Sequence, residues 1–422
     1  NARMQYGDVA ATLANIDKMQ PLQPLSEEAH KNAVVSWGQG VKGWGIDAAV
    51  CKPIYHWAAG LPRLLLESHS KFSGTMSLAN GSVKAVHRCF GEFQKRASSL
   101  YEIRPEWFPY AVSCLLISST KLKVSNPDNR IPINPDWKKF LGVSWGEGGT
   151  FRQAAGHSIG SYNSKDELFV VPPIIFSDDV MKSLMVEDCG NGKMKKVQHT
   201  LILPSQLHPY FTEAVAEQLG RSSPTERGKQ FEKPFLYAVY ARYLLAYWGN
   251  TDSKWVPLTQ VFEGAFQQQQ EDVMKGYEVN LSGGVHVALT ELLYSNAVPN
   301  AITYFGSSAH HDAYIYCRTV DDGSGVVWEG AVPLQLRHGR PKSYDELKPQ
   351  LMTIRVPKLG KQKKSDEGTK APPAPQPEPV RLLLSVNHKQ RDPIRDEEKI
   401  VMIDADKMSS IAWLWLLAPG EQ

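Results

Sequence analysis

The sequence lacks the short motifs by which a chain usually declares triphosphate binding or zinc-dependent hydrolysis. GxxxxGK(S/T) has no match, so no loop of that type cradles a triphosphate here. HExxH is absent as well, and no hydrolase triad can be assembled with any specificity. Cysteine is scarce: Cys51, Cys89, Cys114, Cys189 and Cys317 make an odd total of 5, none at zinc-binding spacing. They read as reduced thiols of an intracellular protein, and the sequons at Asn80 and Asn280 do not outweigh that. Charge of one sign is lacking too. A formal net charge of +3 over 422 residues does not by itself announce nucleic acid, so any basic surface must be local. No apolar run approaches the roughly 20 residues of a membrane span, so no membrane is expected as a partner. The chain opens Asn-Ala-Arg-Met-Gln without an initiator Met or a signal-peptide core, and reads as a fragment with its upstream part missing.

What is present suits a soluble α/β protein of two or three domains. Residues 1–120 read as a helical region. Ser26 is placed to cap a helix over Leu25–Ala33, with acids in its first turn. Ile46, Val50, Ile54 and Trp57 fall at helical spacing before a stop at Gly60, and Pro62 can open a further helix. Ala111–Ile117 is strongly apolar. Residues 121–230 form a mixed connecting region, with strand-like Leu168–Phe176 and Thr200–Leu203 and an amphipathic helix over Tyr210–Leu219. In residues 231–422, Phe235–Trp248 is aromatic all round, which predicts a buried helix rather than a base-stacking platform. Val256–Gly276 reads as a second helix with Val261, Phe262, Phe266 and Val273 on one side. Leu351–Val356, Val380–Val386 and Lys399–Ile403 are strand candidates, and Met408–Leu417 closes the chain. The stretch 357–379 is rich in Lys and Pro and reads as a disordered insertion within one domain. Its Lys358–Lys370 segment suits either a nuclear-import signal or a solvated loop.

The stretch Ala301–Arg340 holds the most suggestive chemistry. Asp312–Arg318 reads as a strand, Asp321–Gly325 as a turn, and Val326–Arg337 as a second strand broken at Pro333. Gln335 and Arg337 lie two apart and so face the same way, and pairing of the strands can bring Asp312 beside them. Asp312 can give a carboxylate to Mg²⁺, Gln335 a carbonyl oxygen, and Arg337 a bidentate grip on a phosphate. An acid from a helix would complete such a shell. Glu263 is the first choice and Glu291 the second. His310 and His311 are adjacent, so on a strand they point to opposite faces. An ordinary hairpin with a polar face accounts for the same spacing.

Two regions carry a family resemblance. Pro24-Leu-Ser-Glu-Glu-Ala29 and Ala59-Gly-Leu-Pro-Arg-Leu-Leu-Leu-Glu67 are similar to the C-terminal end of P-loop ATPase modules of the STAND/AAA type. That resemblance implies a nucleotide-sensing role for Arg63, and ATP as a ligand only if a P-loop lies upstream. Val261-Phe-Glu263, Asn300–Asp312 and Leu334-Gln-Leu-Arg337 resemble the C-terminal domain of Crinkler effectors of oomycetes and fungi, and of the related retrotransposon hot spot proteins of trypanosomes. The resemblance implies a restriction-endonuclease-like, PD-(D/E)xK domain acting on DNA or RNA in the nucleus. Glu263 and Asp312 would then be metal ligands, and Glu263, Asp312, Gln335 and Arg337 the catalytic set. Two departures stand out. Gln335 removes a negative charge from the metal site, and Arg337 replaces a lysine with a group that is effectively never deprotonated. Two functions are therefore expected: a Mg²⁺-dependent nuclease with a degenerate site, or a catalytically inactive scaffold that binds protein or nucleic-acid partners in transcription or RNA processing.

Overall fold

A computed structural model describes residues 108–135, 149–157, 159–172, 186–188, 194–196, 224–250, 253–287, 298–305, 312–321, 325–337, 381–385 and 400–403, with scattered positions between 24 and 92. The expectations for residues 1–20, Thr200–Leu203, Tyr210–Leu219, Leu351–Val356, 357–379 and Met408–Leu417 lie outside the described residues. The chain is a mixed α/β protein. No described helix is long and apolar enough to cross a membrane.

Near the N-terminus the local chemistry behaves as its residues dictate. The Ser26 hydroxyl accepts the Ala29 N–H at 3.1 Å, as a helix cap does. Gly60 takes φ +68°, and a Cβ there would stand 2.7 Å from the Leu25 carbonyl oxygen. That close approach and the left-handed backbone both call for glycine.

The first well-described unit is built on helix α1, Phe108–Ser119. It is apolar nearly all round, and Tyr110 through Thr120 are buried. Its end is a Schellman turn: the Leu122 N–H reaches the Ile117 carbonyl and the Lys121 N–H that of Ser118, with Lys121 at φ +50°. Helix α2, Phe151–Gly156, starts at a capping box of Thr150 and Gln153. Strands β1, Ser161–Asn163, and β2, Leu168–Val170, form an antiparallel hairpin. Phe151 and Phe169 meet at 5.2 Å between ring centroids. Ser118 Oγ accepts the Val171 N–H at 2.9 Å, which ties α1 to the end of β2. A separate two-stranded ribbon pairs β3, Val186–Asp188, with β4, Met194–Lys196.

The second unit is a mixed sheet packed on helix α3, Pro224–Gly249. As the aromatic run predicts, Phe235, Leu236, Val239 and Tyr243 of α3 are core residues. After α3 come β5, Val256–Pro257, α4, Leu258–Val261, α5, Gln268–Met274, and β6, Tyr277–Val279. The single helix expected over Val256–Gly276 is thus interrupted. Gly264 at φ +77° turns the chain between α4 and α5. Phe262 and Phe266 still reach the core, stacked on each other at 5.3 Å.

Strands β7, Val285–Val287, β8, Ile302–Tyr304, β9, Ala313–Asp321, β10, Gly325–Arg337, β11, Arg381–Ser385, and β12, Ile400–Ile403, complete the sheet. Its order is β12-β11-β10-β9-β6-β5, with β8 beside β9 and β7 beside β8. β9 is central. One edge pairs with β10, and the other is shared by β8 over Ala313–Ile315 and β6 over Cys317–Thr319. The β9–β10 hairpin forms as its turn residues predict. β10 runs straight through Pro333, however, opposite Tyr314. Pairing with β11 begins only at Leu334, so the proline stands where that edge of β10 first acquires a partner. β10, β11 and β12 are parallel, and β9 runs against β8, β6 and β10.

Alternation along the strands sorts the two faces. Ala313, Ile315, Cys317, Val332, Leu334 and Leu336 join the core against α3. Tyr314, Tyr316 and Gln335 lie between them and face the other side. Asn280, a candidate glycosylation site by sequence, is buried and bonded to Tyr243 Oη and the Ser282 N–H. No glycan can be attached there in the folded protein.

Candidate functional site

Of the sequence-predicted residues, the structure brings two together. Asp312 immediately precedes β9, and Gln335 sits two residues from the end of β10. Both are buried, at 6% and 4% exposure. The Asp312 backbone is threaded between neighbours: its N–H donates to the Leu334 carbonyl at 3.2 Å and its carbonyl accepts the Phe305 N–H at 2.9 Å. Its carboxylate oxygen Oδ2 accepts two hydrogen bonds, from Gln335 Nε2 and from the Leu336 backbone N–H. A buried carboxylate requires such donors, because losing water without replacement costs several kcal/mol. The Gln335 amide presents its nitrogen because a carboxylate oxygen can only accept. Nearby in the chain, Phe305 and Tyr314 meet edge-on at 5.1 Å between ring centroids.

Glu263 lies elsewhere. It is exposed, in the turn after α4, which packs on β5, β6, α3 and α5. Its backbone carbonyl, not its carboxylate, is the group drawn into the structure, accepting from Arg242 Nη1 at 2.7 Å. β9 meets β6 at Cys317, five residues beyond Asp312, or about 17 Å along the strand. The backbone of Arg337 lies in β10 opposite Ser385 of β11. The Arg337 side chain lies outside the described residues, as do Arg63, Glu291, His310 and His311 entirely.

Mg²⁺ is a hard cation that gathers several oxygens about itself. The donor set does not fit it as arranged. Asp312 Oδ2 is engaged by two N–H groups, Gln335 turns its amide nitrogen toward the same point, and Glu263 is not beside them. Among the described residues, no three His, Cys, Asp or Glu side chains stand together as a metal-binding group. What the arrangement does chemically is join two strands. The carboxylate serves as the acceptor for the Leu336 N–H, where a ladder carbonyl would otherwise stand.

The same face of the sheet carries a second polar group, closed on itself. Arg318 lies 4.4 Å over the Trp255 ring and donates to Glu278 Oε2 at 2.7 Å, and Tyr316 donates to Glu329 at 2.6 Å. Burial, then the hydrogen bond to Glu329, pushes the Tyr316 hydroxyl above its ordinary range. These partners satisfy one another across β6, β9 and β10.

Two polar residues escaped the sequence reading. Glu232 of α3 accepts the Tyr304 hydroxyl at 2.7 Å, joining the helix to β8. Arg242 is buried in the middle of α3. Its signal was visible: it is the one charged residue within Phe235–Trp248. A charge in an otherwise apolar helix has to be met by something.

The fold and its buried Asp312–Gln335 pair therefore define a mixed α/β protein with an acid sewn into the central hairpin. No protein-family model, no curated protein and no solved structure matches the chain.

Proposed function

We propose that the chain is a nucleic-acid-associated protein of the nucleus whose C-terminal sheet is a restriction-endonuclease-like domain that binds without cutting. One observation carries the non-cutting part: Asp312 Oδ2 is occupied by the Gln335 amide and the Leu336 N–H. The acid that would hold a metal instead holds the hairpin together. Glu263, the acid expected to share that metal, lies exposed in the turn after α4. The nucleic-acid part rests on the resemblance of Val261–Glu263, Asn300–Asp312 and Leu334–Arg337 to the Crinkler and retrotransposon hot spot domains. The order of elements supports it, with an acid at the head of β9 and Gln335-x-Arg337 at the end of the paired β10. Lys358–Lys370 supports the nuclear assignment, with five lysines in a stretch poor in apolar residues.

The test is incubation of the full chain with end-labelled DNA and RNA in Mg²⁺, read for both retardation and cleavage. Binding that weakens linearly in log–log form as salt rises, without cleavage, is the expected result. Cleavage by the wild type that Asp312→Ala abolishes would establish a metal-dependent nuclease instead. Absence of binding to either nucleic acid at low salt would leave a scaffold for protein partners.

A further inference from the structure

We infer that Arg242 is a joint that holds the α1 unit and the sheet domain together as one body. The inference is independent of the nucleic-acid reading, because it rests on contacts between elements and not on a ligand. Arg242 is 2% exposed, among the largest fully buried side chains of the described residues. Its guanidinium faces carbonyls from two helix ends. Nε and Nη2 both donate to Thr120 O, at 3.3 and 3.0 Å. Nη1 donates to Val261 O at 3.2 Å and Glu263 O at 2.7 Å. Thr120 caps α1, and Val261 and Glu263 close α4. These are positions where helices leave carbonyls without an internal partner, at the negative ends of their dipoles.

The location matters as much as the bonds. Among the described residues, the apolar core of the sheet domain runs from Phe235 of α3 to Ile403 of β12 and includes no residue of α1, α2, β1 or β2. α1 packs against α3 across that boundary. Arg242 therefore sits where α1 meets the sheet domain, bonded to carbonyls on both sides. The Schellman turn at Lys121 frees the Thr120 carbonyl from the helix ladder and leaves it for Arg242. Burial brings the guanidinium down to about 10, opposed by the charge of Glu263, so the group remains a cation at neutral pH. Lysine cannot replace it in kind. Only a planar fork delivers donors to Thr120 on one side and to Glu263 on the other at fixed angles.

The experiment is hydrogen exchange on the full chain, read separately over the two units, for wild type, Arg242→Met, Arg242→Lys and the control Tyr243→Phe. Arg242→Met should speed exchange of Phe108–Ser119 and Leu168–Val170 amides roughly tenfold or more, the effect of losing hydrogen bonds to a charged group. Amides of Ala313–Cys317 should keep their wild-type rates. Arg242→Lys should fall between the two, and it supplies the same readout if the methionine variant does not fold. Tyr243→Phe, which removes a hydroxyl bonded within the sheet domain, should leave the α1 amides at wild-type rates. Equal acceleration in both units for the Arg242 variants, or none in either, would overturn the joint and leave Arg242 an ordinary core residue.

Discussion

Two buried ionisable side chains organise this molecule, and they do so in opposite ways. Asp312 is an acid whose Oδ2 is met by N–H donors 23 and 24 residues away in the same hairpin. Arg242 is a cation met by carbonyls 19 and 21 residues ahead of it and 122 behind it. Each obeys the rule that a charge leaving water must find its partners inside. The reach differs, and so does what is held. Asp312 fixes the register of two strands that would lie together anyway. Arg242 links α1 to a sheet domain whose apolar core, among the described residues, takes in no residue of α1. A buried acid is easily read as a catalytic group. Set beside Arg242, whose contacts are plainly architectural, Asp312 likewise commits its Oδ2 to hydrogen bonds within the fold.

The widest separation between the two should come from substitution. Arg242→Met orphans carbonyls of both helix ends and should lower unfolding stability by about 3–5 kcal/mol, as breaking buried charged networks does. Denaturant titration followed at two probes, one in each unit, would show it. Transitions that split, with the α1 unit melting first, distinguish a joint from a general packing loss. Asp312→Ala should cost less, about 2–4 kcal/mol, because it orphans one backbone N–H and one amide inside a single hairpin. Asp312→Asn should recover part of that loss by keeping an acceptor. In both variants the two probes should move together. If Asp312→Ala splits the transitions as Arg242→Met does, the distinction between stitch and joint fails.

Gln335→Glu tests the same centre from the other side. It sets a second carboxylate against Asp312, and like charges in one buried site raise the pKa of the pair. The sign follows. A folded-state value raised above the unfolded one, about 4.3 for Glu, leaves stability intact below that pH and removes it as pH rises through the folded value. The variant should match the wild type near pH 4 and be clearly weaker near pH 7 in chelator. Millimolar Mg²⁺ should restore little of the loss if the centre is a stitch. Restoration to wild-type stability would show that the pair accepts a divalent ion, and would revive the nuclease reading.

The sequence made some of this legible and concealed the rest for physical reasons. The hairpin was readable because its signals are local: strand-forming residues on both sides of Asp321–Gly325, with polar residues two apart at Gln335 and Arg337. The α3 core was readable because fourteen residues carrying one charge can only be buried. The helix assigned to Val256–Gly276 failed because apolar spacing at Val261, Phe262 and Phe266 is satisfied equally by a short helix, a glycine turn at Gly264 and a second helix. The pairing of Gln335 with Asp312 could be guessed, but not which group would donate. That depends on where the chain places the Leu336 N–H. The partners of Arg242 could not be guessed, since nothing near Thr120 in sequence marks its carbonyl for a residue 122 positions on.

The smallest expected effect belongs to an ion pair that looks better on paper than either buried centre. Arg152 donates from Nε and Nη2 to the two carboxylate oxygens of Asp128, at 2.6 and 2.9 Å. That bidentate geometry is the strongest an arginine can offer. Both side chains are exposed, however, at 67% and 55%. Water and salt therefore screen the attraction, and ordering two side chains opposes it. The hydrogen bond from Arg152 holds the Asp128 carboxyl below its ordinary value. A lowered folded-state pKa contributes stability above the unfolded value, about 3.9, and that contribution fades as pH falls through the folded one. Asp128→Asn should therefore be indistinguishable from wild type in acid. At neutral pH in low salt its unfolding midpoint should drop only slightly, and that difference should vanish in about 1 M salt. A drop approaching that of Asp312→Ala would mean that contact geometry outranks burial in this protein. The contrast between the buried centres and the surface would then have to be drawn on other grounds.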